Sequence, residues 1–163
     1  MASPGDPAPD FTAPLANGII EPFTLSEHVQ QGPLVLAFFP GAFTSVCRNE
    51  MRRLEQDVDD YRSAGVAVYG ISVDTPFALN KFREENGLSF GLISDMTREI
   101  IDAYDVRTDF DSLGVYGLAK RAVFIVDRDG LITYRWISDD PGREPDYEEI
   151  LAAATEAAPA AKQ

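Results

Sequence analysis

The chain has 163 residues, 45% of them hydrophobic, with ten Phe and six Tyr, enough to bury the core of one ordinary domain. A net charge of −13, from 27 acidic against 14 basic residues, repels phosphate backbones and anionic lipid, so neither nucleic acid nor a membrane surface is an expected partner. One Cys and one His exclude an internal disulfide and a multi-thiolate metal site; no metal or cofactor is expected, and a lone thiol suits a reducing, cytoplasmic setting.

Pro4, Pro7, Pro9 and Pro14 predict an extended, surface-lying start, with an acid where the apolar core of a secretory signal would fall. Asn17-Gly18 reads as a turn between short strands near Phe11 and Phe23. "LVLAFF" at 34–39 is continuous and apolar, as in a strand covered on both faces, and far too short to span a bilayer.

After Pro40 and Gly41 the period changes. Cys47, Met51, Leu54, Val58 and Tyr61 recur at four, three, four and three, one face of a helix that Gly65 ends; Arg48, Arg52, Glu55 and Asp59 take the other face. "VAVYGIS" at 66–72 is a second buried strand, completing a βαβ unit. A helix over 76–86 follows, then a short strand in "FGLIS" and a helix in "DMTREIIDAYDV" capped by Asp95. Residues 107–120 read as irregular. "AVFIVD" and "LITYRWI" form a hairpin around "RDG", and the last helix runs from about Asp146 to Ala157 with a frayed tail beyond.

The pattern predicts one domain, 1–163, with an ordered core near 4–155 and a frayed 156–163. Its fold class is α/β, thioredoxin-like, with a mixed sheet flanked by helices and an N-terminal β-hairpin extension.

A lone buried Cys is more often inert than reactive. Three features favour reactivity at Cys47. It falls in the opening turn of a helix, that turn lies beyond the carboxyl end of a central strand, and Arg48, Arg52 and Arg53 are near in sequence. Keeping a thiol mostly ionised at neutral pH takes ~3 kcal/mol of preference for the anion. A helix end supplies at most ~2 kcal/mol, so a guanidinium close to the sulfur is needed as well.

Pro40, Thr44 and Cys47 stand as P-x-x-x-T-x-x-C within "FFPGAFTSVCRNEM", and Glu50 follows three residues later. These residues resemble the active-site segment of the peroxiredoxins of the alkyl hydroperoxide reductase/thiol-specific antioxidant group. "KRAVFIVDRDG" at 120–130 resembles that family's Arg-bearing strand, and "GDPAPDFTAP" matches its opening. The resemblance spans about residues 4 to 155.

It implies a thiol peroxidase that reduces hydrogen peroxide or alkyl hydroperoxides through a sulfenic acid on Cys47. Thr44 would offer its hydroxyl, Arg121 would steady the anions, Pro40 would close the pocket, and Glu50 would orient an arginine. Beside this stand blander readings: Thr44 as a helix cap, Arg121 as a surface strand residue, Pro40 as a turn, Glu50 as a helix-face charge pair. His28 reads as a surface residue, and the Asp clusters at 57–60 and 109–111 as solvated surface.

No second Cys is present, and Arg52 holds the common position five residues on. Recycling by an external thiol or a thioredoxin- or glutaredoxin-like reductant is implied, the one-Cys mode of the alkyl hydroperoxide reductase E type. The resemblance also implies a homodimer, with Phe43, Phe77 and Tyr116 as candidate contacts. The competing class is a redox-sensing binding module switched by oxidation of Cys47.

Overall fold

The computed structural model describes residues 2–42 and 44–158. Among them seven strands form one sheet in the order β2-β1-β5-β4-β3-β8-β9. These are β1 (Thr12–Asn17), β2 (Ile19–Thr24), β3 (Leu34–Phe38), β4 (Ala67–Ser72), β5 (Leu92–Ser94), β8 (Arg121–Val126) and β9 (Ile132–Ser138). β3, β4 and β5 run parallel, while β1, β8 and β9 pair antiparallel to their neighbours. This is the expected thioredoxin-like mixed sheet with an N-terminal hairpin.

All five residues of β3 are buried, and its alternation splits them between two cores. Val35 and Ala37 join Met51, Leu54, Leu79, Phe82 and Ile150 on one face; Leu34, Leu36 and Phe38 join Phe23, Ile101, Tyr104 and Phe124 on the other. The first face is covered by α2 (Ser45–Gln56), α3 (Val58–Ser63), α4 (Pro76–Glu85) and α6 (Tyr147–Ala157). The second is covered by α5 (Glu99–Ala103) and by α1 (Leu25–His28). Gly70 lets α2 approach the sheet: a Cβ there would lie 2.7 Å from Leu92 and 3.1 Å from the Met51 sulfur. The single tryptophan, Trp136 on β9, packs half-buried on the cluster that contains Cys47.

Four local expectations change. The helix expected from Cys47 to Gly65 is broken at Asp57 (φ −97°, ψ 2°), whose carboxylate is bound by Arg53; Asp is a weak helix former and competes for local donors. Asp95 does cap α5, through Ile100 N–H (3.1 Å) and Ile101 N–H (2.8 Å), but only after a turn through left-handed Arg98 (φ 67°), so the helix is shorter than expected.

Residues 107–120 are not irregular: β6 (Arg107–Phe110) and β7 (Val115–Ala119) form a two-stranded ribbon around a 3-10 turn. Charged residues and two glycines hide its alternation. His28 is half-buried rather than a surface residue, stacked 4.1 Å from Phe23. α6 matches its expected span, and the tail from Pro159 on lies outside the described residues.

Among the described residues no helix is long and apolar enough to cross a membrane, and no group of three or more His, Cys, Asp or Glu could hold a metal ion.

Candidate active site

The segment between β3 and α2 turns at the carboxyl end of the central strand. Pro40 is buried, having no N–H to satisfy, and it lines a narrow crevice with Phe110, Ala119, Arg121 and Pro141. Ala42 N–H donates to Asp74 (2.7 Å), tying this loop to the end of β4. Thr44 takes the extended conformation of a helix N-cap, but its hydroxyl donates to the Gly41 carbonyl (3.3 Å). Among the described residues it makes no hydrogen bond to Cys47. Cys47 then sits in the first turn of α2 with no exposed surface.

Arg121 opens β8, 74 residues away, and folding brings it to the sulfur. Its Nη2 donates to Cys47 Sγ at 3.3 Å, its Nη1 donates to Glu50 Oε1 at 2.6 Å, and its Nε donates to the Pro141 carbonyl at 2.9 Å. Three acceptors, two on α2 and one on the loop after β9, therefore fix one planar fork. Arg121 and Glu50 are 2% and 0% exposed, so the surface-strand and helix-face alternatives fail; Arg53 pairs with Asp57 instead.

Burial pushes the Glu50 carboxyl up to about 7, against the pull of Arg121, with Glu144 adding to the rise. Its Oε2 has no hydrogen-bond partner among the described residues. Burial opposes the Arg121 charge, but Glu50 and Cys47 outweigh it and raise that group further. The guanidinium thus remains a fixed positive charge at the sulfur.

Five expected residues, Pro40, Thr44, Cys47, Glu50 and Arg121, converge on one end of the sheet. Arg52, on the same helix, is exposed. Sequence reading missed Pro141, whose carbonyl holds Arg121, and Tyr147, whose hydroxyl donates to Glu144 and whose ring lies 5.1 Å from the Arg53 guanidinium. A Pro-Gly turn just before a capped helix was the available signal, though a weak one.

A model of the AhpC/TSA family matches residues 4–135. The chain is 36% identical over 152 residues to peroxiredoxin-2 of Cricetulus griseus, covering 87% of this chain and 73% of that protein. It is 36% identical over 132 residues to a putative peroxiredoxin of Mycobacterium tuberculosis, covering 80% and 82% respectively. The crystal structure of peroxidoxin BcpB from M. tuberculosis superposes with a TM-score of 0.84 at 26% identity, covering 96% of this chain and 98% of that one.

With a family model spanning most of the chain and relatives 36% identical to it, the protein belongs to the AhpC/TSA family: it is a peroxiredoxin, an oxidoreductase that reduces peroxides with a thiol.

Proposed function

We propose that this chain works by the one-Cys route, with Cys47 as its sole redox centre and the reducing thiol supplied from outside. The observation that carries its peroxidase chemistry is the 3.3 Å contact between the Arg121 guanidinium and Cys47 Sγ, both buried. A cation there stabilises the negative charge that develops on the departing oxygen.

The thiolate attacks the terminal oxygen of a hydroperoxide; an S–O bond forms, the O–O bond breaks, and the leaving oxygen takes up a proton as water or an alcohol. The sulfenic acid then condenses with an external thiol, releasing water and leaving a mixed disulfide. A second external thiol displaces Cys47 and departs as the oxidised disulfide. Pro40 shapes the pocket, Glu50 holds the arginine, and Thr44 turns its hydroxyl from Gly41 to the peroxide. The single Cys within these 163 residues, with Arg52 five positions on, supports an external reductant, as in the alkyl hydroperoxide reductase E type. A thioredoxin- or glutaredoxin-like protein or a small thiol fits that role in a reducing cytoplasm.

Homodimerisation belongs to the same reading. Phe77, Leu113 and Tyr116 are 73%, 71% and 58% exposed, large apolar side chains that a second copy would cover. Phe43 lies outside the described residues. A sedimentation mass of two chains at micromolar concentration is expected.

Mixing the protein with hydrogen peroxide and dithiothreitol should consume many equivalents of peroxide, and Cys47→Ser should consume none. A cyclic 1,3-diketone should label Cys47 only after peroxide. Consumption of one equivalent without cycling would overturn the enzyme in favour of a redox-sensing module.

A further inference from the structure

The loop that carries Pro40 and Thr44 is anchored by a residue outside the family-like motif. β4 and β5 end alike, as Ile71-Ser72 and Ile93-Ser94, with the two serines paired in the ladder. Both are buried, at 0% and 1% exposure, and both turn their hydroxyls onto Asp74. Ser72 Oγ donates to Asp74 Oδ2 (2.6 Å), Ser94 Oγ donates to the Asp74 carbonyl (2.6 Å), and Asp74 N–H donates back to Ser72 Oγ (3.3 Å).

Side chain and backbone of Asp74 are thereby fixed to the end of the sheet. The oxygen held by Ser72 also accepts the Ala42 N–H at 2.7 Å. Ala42 stands midway between Pro40 and Thr44, and the bond of the Thr44 hydroxyl to Gly41 is internal to the loop. A hydrogen bond to a pre-fixed carboxylate therefore tethers this loop to the end of the sheet.

We propose that Asp74 is a positioning residue for peroxide reduction: through Ala42 it sets the height of the Pro40–Thr44 loop over Cys47. The inference rests on the peroxidase reading, and it assigns a function to a serine–aspartate cluster that no part of the thiol chemistry otherwise uses. A loop displaced by about 1 Å would leave the sulfur and Arg121 in place but misalign the hydroxyl that receives the peroxide, and such displacements cost up to about 100-fold in rate.

The test is the second-order rate of Cys47 oxidation by hydrogen peroxide in a single turnover, measured beside alkylation by iodoacetamide. Asp74→Ala should slow oxidation about 10- to 100-fold while alkylation is not slowed. Asp74→Asn, whose amide oxygen still accepts the Ala42 N–H, should stay within about threefold of wild type. Should D74A fail to fold, Asp74→Glu, which moves the carboxylate outward by one methylene, takes its place with the same expectation.

The proposal is overturned if oxidation stays within about threefold in D74A (or D74E), if alkylation falls in step with oxidation, or if D74N is no better than D74A. Wild-type protein that does not react with peroxide would instead remove the peroxidase reading itself.

Discussion

Helices α2 and α6 both begin after a residue suited to capping, and they use it differently. At α6, Asp146 accepts the Glu149 N–H (3.1 Å), and Glu148 and Glu149 occupy the first turn, where acids complement the helix dipole. At α2, Thr44 takes the same extended conformation, yet its hydroxyl binds the Gly41 carbonyl, and the first turn holds no acid. That first turn holds Cys47. Equivalent local chemistry thus closes one helix end for stability and leaves the other without a side-chain cap, beside the thiol proposed to react.

The strongest way to break this contrast is at Arg121. Arg121→Met leaves Glu50 buried without its partner, and removing one member of a buried pair costs about 3–5 kcal/mol. Denaturant midpoints at pH 8 should show that loss, and the double variant with Glu50→Gln should recover part of it. Peroxide oxidation of Cys47 should stay slow in both, because the cation at the sulfur is gone.

A second measurement sharpens the contrast through pH. The Glu50 carboxyl ionises near its usual 4.5 in the unfolded chain and at about 7 in the folded one. Below pH 4.5 both states hold the proton and no penalty exists. Between 4.5 and 7 the unfolded state alone releases it, so this group makes stability fall as pH rises, and the full cost persists above 7. The fall between pH 5 and pH 8 should be smaller in Glu50→Gln than in wild type, by up to about 3 kcal/mol. Equal slopes in urea titrations of the two proteins would remove Glu50 as the cause.

The smallest effects address the two caps directly. Asp146→Ala should lower stability by about 1 kcal/mol and leave peroxide oxidation within twofold, about the scatter of such rates. Thr44→Val should do the reverse: little change in unfolding, and oxidation slower by about tenfold or more, with Thr44→Ser retaining most of the rate. If both variants moved stability alone, the contrast between the helix ends would vanish.

The site was legible in the sequence where its residues are close together. Pro40, Thr44, Cys47 and Glu50 lie within one turn and one helix start: position in the helix singled out Cys47, and the family resemblance added its three neighbours. Arg121 was legible only through family resemblance, since nothing in local periodicity says that a residue 74 positions away will meet Cys47. The ends of β4 and β5 were harder still: Ser72, Asp74 and Ser94 look like ordinary strand-end polar residues until parallel pairing puts them together.

In the fold, buried strands with continuous apolar runs were clear. The β6–β7 ribbon was not, because tertiary contacts, such as Arg98 Nε to the Gly117 carbonyl at 2.8 Å, hold strands that local propensity would not.

Trp136 gives the molecule an optical handle. It is the sole indole, and it rests on the apolar cluster to which Cys47 belongs, so its emission is expected to report the packing change that the proposed oxidation of the sulfur would bring. Stopped-flow fluorescence is therefore the measurement by which to follow the proposed one-Cys cycle in unlabelled protein, without a coupled assay.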